Sequence, residues 1–102
     1  MNKKELQERL LALWELGPEE LKKQWGQGQE SLSVIAWQKK PNTAVQVSYI
    51  PRQWRGEAYP CDYGFAKVRY PDKWDTDKGI DLAVKKALAS IARQIVEGEN
   101  GE

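Results

Sequence analysis

The chain has no histidine, one cysteine, one methionine and one phenylalanine. Without histidine, Ser–His–Asp and Cys–His catalysis are both excluded, and so are most zinc sites. Cys61 has no partner cysteine, so an internal disulfide is impossible and a secreted disulfide scaffold is not indicated. It has no second thiol or imidazole with which to share a metal, and reads as a small buried or half-buried side chain rather than a reactive thiol. Gly26-Gln27-Gly28 lacks the third glycine, the lysine and the preceding strand of a phosphate-binding loop. No apolar run approaches the roughly 18 residues of a membrane span. The opening Met1-Asn2-Lys3-Lys4-Glu5 leads into an amphipathic pattern rather than a signal-peptide core. These absences predict a cytoplasmic protein that is not an enzyme, with no cofactor, no metal and no membrane partner.

What remains is 102 residues with 40% apolar content, enough for one modest core. Tryptophan supplies five of the aromatic side chains. Residues 1–102 read as a single domain: a helical segment over 1–28, a βββα core over 31–98 and a frayed tail over 99–102.

From Lys3 to Leu16, Leu6, Leu10, Leu13 and Trp14 recur at helical spacing. Gly17-Pro18 stops that helix and starts a short second one over Pro18–Trp25. Ser31–Lys39 is strand-like. Lys40-Pro41-Asn42 signals a turn, and Thr43–Ile50 alternates Val45, Val47 and Tyr49 with Ala44, Gln46 and Ser48. Pro51–Pro60 reads as a loop, and Asp62–Tyr70 as a third strand ended by Pro71. Ile80, Ala83, Val84, Ala87, Leu88, Ile91, Ala92 and Ile95 then form one continuous stripe at helical periodicity. Asp77 stands before it as an N-cap and Gly98 after it as a C′ glycine.

The fold class is therefore α+β, in the order αβββα. An N-terminal helix or helical hairpin precedes a three-stranded antiparallel sheet, and the C-terminal helix packs on one sheet face. If Leu32, Val34 and Ala36, Val45, Val47 and Tyr49, and Ala66, Val68 and Tyr70 face that helix, alternation assigns the other face. It carries Ile35, Trp37 and Lys39, then Gln46 and Ser48, then Tyr63, Phe65, Lys67 and Arg69.

The near-neutral total hides a gradient. Residues 1–30 hold five cations and six acids, residues 31–70 six and two, and residues 71–102 five and seven. A basic sheet thus lies between two acidic ends. Cations interleaved with rings suit single-stranded DNA or RNA, because bases stack on the rings while Lys and Arg neutralise phosphates. The candidate binding residues are Trp37, Lys39, Phe65, Lys67 and Arg69 on the face, with Arg52, Trp54 and Arg55 in the loop. Two other readings bear on them. The N-terminal helices could cover the face, with Leu6, Leu10 and Trp14 on Ile35, Trp37 and Phe65. A protein partner could instead dock on the Trp54 loop and the N-terminal amphipathic helix, since Trp and Arg dominate binding hot spots.

Gly64-Phe65-Ala66-Lys67-Val68-Arg69-Tyr70 resembles the RNP1 strand of RNA-recognition motifs at six of seven positions, counting the unconstrained one. Lys67 stands where a stacking aromatic belongs, Tyr63 where a cation belongs, and the strands that should flank the helices are missing. An RNA-recognition motif is not expected. The element order is similar to that of double-stranded RNA-binding domains, but Asp75, Asp77 and Asp81 occupy the place of their lysine cluster. The same acidic run fails as a calcium loop: counted from Asp75, glycine falls fifth and Lys86 twelfth. Gly64-x-Ala66 through Pro71, Asp75, Gly79, Ala83 and Ala87 resembles the strand–loop–helix ending of short uncharacterised proteins of phages and mobile elements in Gram-positive bacteria. That resemblance covers about a quarter of the chain. It implies a cytoplasmic accessory protein and transfers no activity.

Overall fold

The structure, a computed structural model, describes residues 2–52, 60–67, 73 and 75–100. Helix α1 (Lys3–Glu15) opens at Asn2, whose side-chain oxygen accepts the Glu5 backbone N–H at 2.8 Å. That bond satisfies one of the amide donors left over in a first helical turn. Gly17 has φ +90°, a conformation that other residues adopt only under strain, and it separates α1 from α2 (Pro18–Gly26). Pro18 then supplies a pre-set φ at the first turn of α2.

Strands β1 (Ser31–Lys39), β2 (Asn42–Ile50) and β3 (Cys61–Lys67) form an antiparallel meander with β2 in the middle. Val68, Arg69 and Tyr70, assigned to the third strand from sequence, lie outside the described residues. Helix α3 (Thr76–Asn100) crosses the sheet over β3 and β2. Its ends correct the sequence reading. Asp75, not Asp77, accepts the Lys78 N–H at 3.0 Å, so Asp77 lies inside the first turn, where its charge still favours the helix dipole. Gly98 does not end the helix. It takes no positive φ, a Cβ built on it would meet no other atom within 4 Å beyond its own helix turn, and the helix runs on to Asn100.

A close approach of α3 to β3 sets the layer spacing. A Cβ built on Gly64 would fall 1.9 Å from the Ala83 carbonyl oxygen and 3.2 Å from the Ala87 Cβ. Helix backbone therefore rests directly on strand backbone, which only glycine opposite alanines permits. Around this contact Leu6, Leu10, Leu13, Leu21, Leu32, Val45, Val47, Val84, Leu88 and Ile91 form one core. Each fully buried large aliphatic, such as Leu10, Leu88 or Ile91, contributes about 1.5–3 kcal/mol before chain entropy is counted. Helix α1 lies against α3, and α2 against β1. All three helices share one side of the sheet.

Polar ties join these layers. Glu30 receives Arg9 Nε and Nη2 at 3.0 and 2.6 Å and the Tyr49 hydroxyl at 2.8 Å, linking α1 to β2. Trp14 Nε1 donates to Asp81 at 2.9 Å, and Lys85 pairs with the same carboxylate. Asp62 on β3 accepts from the Ser90 hydroxyl and the Gln94 amide of α3. The Ser90 bond, with help from the Tyr63 amide and Gln94, holds the Asp62 carboxyl below its usual range.

Burial, reinforced by the bond to Glu30, pushes the Tyr49 phenol up to about 12. The neutral ring is favoured in the folded state, so between the ordinary tyrosine value of about 10 and that figure only the unfolded chain loses the proton. Stability should be fully present below the ordinary value and fall as pH rises through the window. A spectrophotometric tyrosinate titration should find a tyrosine ionising late, and Tyr49→Phe should remove both that late step and this part of the alkaline instability. Unchanged curves in the variant would refute the assignment.

Candidate nucleic-acid interface

Because every helix packs on the other side, no described element covers the part of the second sheet face that carries Ile35, Trp37, Tyr63 and Phe65, whereas Ser31 and Ile50 at its far end are buried. The reading in which Leu6, Leu10 and Trp14 cover Ile35, Trp37 and Phe65 does not hold. Leu6 and Leu10 are buried in the core on the α3 side, and Trp14 packs against that core while bonding Asp81. Ile35, Trp37, Tyr63 and Phe65 are 50%, 51%, 53% and 63% exposed. Large apolar side chains gathered this way on a small domain mark a binding surface more often than chance.

The register arranges the face in cross-strand rows. Lys39, Asn42 and Lys67 form one row, followed by Trp37, Ala44 and Phe65. Next come Ile35, Gln46 and Tyr63, and then Ser33, Ser48 and Cys61. Each step along the strands is about 7 Å, two residues of rise. The cationic row therefore sits immediately beside the row with two facing rings. A groove of about 660 Å³ lies at this end, lined by Trp37, Lys39, Asn42, Ala44, Phe65, Lys67 and Lys86 among others, with no carboxylate among the described residues that line it.

The supports of this end are rigid. Gln38, on the helix side of β1, donates to Thr43 Oγ1 and to the Thr76 carbonyl, both at 3.1 Å, and so ties the strand ends to the start of α3. Lys86 of α3 donates to the Phe65 carbonyl at 2.9 Å. This bond satisfies a backbone acceptor on β3 and holds a third ammonium beside the groove.

The structure thus brings together Trp37, Lys39, Phe65 and Lys67. It does not bring in Arg52, which follows β2 at the opposite end of the sheet, near Tyr49. Trp54, Arg55 and Arg69 lie outside the described residues. Cys61 is exposed rather than half-buried, because alternation along β3 puts it on the uncovered face. Sequence reasoning missed Lys86 and Ala44. Lys86 is brought in by the packing of α3 on β3, and Ala44 matters only once its two cross-strand neighbours are known. Among the described residues no group of three or more His, Cys, Asp or Glu side chains could hold a metal ion, and no helix is long and apolar enough to cross a membrane.

Neither a family model, nor a curated protein, nor a solved structure matches this chain. Geometry and chemistry alone carry the functional reading.

Proposed function

We propose that the chain is a small, cytoplasmic, non-enzymatic module that binds single-stranded DNA or RNA on its open sheet face. The observation that carries this reading is the juxtaposition of exposed Trp37 and Phe65 with the Lys39–Lys67 row in a groove whose described lining residues include no carboxylate. Rings offer stacking surface to any base, and lysines release counterions from phosphates. A duplex keeps its bases stacked on each other and would not reach the rings. Docking of a protein on the N-terminal helix has less support, since Leu6, Leu10 and Leu13 are buried in the core.

Titration of intrinsic tryptophan fluorescence with short single-stranded DNA, single-stranded RNA and duplexes, at about 50 and 200 mM salt, tests the proposal. Single strands should quench, duplexes should not, and the quenching should fade at the higher salt. Silence with every nucleic acid would rule the reading out.

A further inference from the structure

Resting on that reading, the row Trp37–Ala44–Phe65 has a geometry the other rows lack. Its two rings stand on strands that flank β2, about 9–10 Å apart at the backbone, or two strand spacings. Between them β2 presents only the methyl group of Ala44. A flat heterocycle in van der Waals contact with a ring on each side needs about 7–8 Å, which a modest inward lean of the side chains provides. In the next row Gln46 fills the middle and Ile35 replaces one ring, so no such slot forms. The surroundings of the slot are also lopsided. Lys39 and Lys67 lie at one end and Lys86 reaches the β3 edge at the level of Phe65, while the row on the other side is Ile35, Gln46 and Tyr63, without a cation.

We infer that Trp37 and Phe65 clamp a single base between them over Ala44, with its phosphate on the Lys39–Lys67 side. The unit recognised is one phosphorylated nucleotide, held in one direction. Ala44 is the floor that keeps the slot open, a positioning residue that no charge or ring would have flagged.

The test uses the full chain. Quenching is followed with a nucleoside, its 5′-monophosphate and its 3′-monophosphate, and the binding of a labelled single-stranded oligonucleotide is followed by anisotropy for wild type, Ala44→Leu and Ala44→Ser. A monophosphate should quench at least tenfold more effectively than the nucleoside, and one phosphate position should be preferred. Ala44→Leu should weaken oligonucleotide binding at least tenfold while far-ultraviolet circular dichroism stays native, and Ala44→Ser should bind like wild type. Oligonucleotide binding that ignores Ala44→Leu, with no quenching by monophosphates, would overturn the clamp and leave the single-strand reading standing. Failure of wild type to bind any oligonucleotide, with self-association through this face in sedimentation, would overturn both.

Discussion

Gly64→Val should unfold much of the population near physiological temperature, or lower the melting temperature by about 12–24 °C, as a loss of about 3 kcal/mol does in a domain of this size. The added Cβ would start 1.9 Å from the Ala83 carbonyl oxygen and 2.8 Å from its carbon. Both are backbone atoms of a helix locked into the core by Val84, Leu88 and Ile91, so no side chain can swing aside to relieve the clash. Helix α3 must lift from β3, which opens the layer that holds Val45 and Val47. Overpacking of cores typically costs about 1–3 kcal/mol, and a clash against backbone belongs at the upper end. Gly98→Ala is the matched control. That glycine is helical and exposed, and an added Cβ would meet no neighbour within 4 Å beyond its own helix turn, so alanine there should be neutral or stabilising by up to about 1 kcal/mol. Thermal melts of both variants decide the matter: equal effects would disprove the close contact.

The second large effect concerns binding alone. Trp37→Ala and Phe65→Ala should each weaken single-strand affinity about 5- to 150-fold, the equivalent of 1–3 kcal/mol of stacking per base. Lys67→Glu should reduce it about tenfold or more, and Lys67→Ala should lower the salt slope by about one phosphate contact. Since these side chains project from the uncovered face, each variant should stay within about 1 kcal/mol of wild-type stability. Anisotropy with a labelled strand is the right readout, because Trp37→Ala removes part of the fluorescence signal. A variant that binds normally would remove its residue from the site.

Much of this architecture was legible beforehand, for identifiable reasons. The stripe from Ile80 to Ile95 repeats at 3.6 residues for over four turns, and Val45, Val47 and Tyr49 alternate against polar neighbours, so both elements and their buried faces follow from periodicity. Gly17-Pro18 marks a break through backbone chemistry that acts locally. The destination of the N-terminal helix was not legible. An apolar stripe of Leu6, Leu10 and Leu13 says that a helix is buried, and carries no information about which sheet face receives it. The role of Gly64 was not legible for a related reason: the sequence around it does not reveal its contact with a helix nearly twenty residues downstream. Helix ends failed because Asp75 and Asp77 are equally good caps in isolation, and geometry chose between them.

Placing all three helices on one side of the sheet separates two sets of residues that small domains usually have to share. Odd-numbered positions 33–39 of β1 and 61–67 of β3 and even-numbered positions 42–48 of β2 face away from the core. Their side chains can be rewritten with little effect on folding, so the outer face behaves as a blank template over a fixed chassis. A library randomised at 35, 37, 44, 46, 63 and 65 should yield mostly folded members with altered ligand preference, which makes this chain a compact starting point for laboratory evolution of recognition.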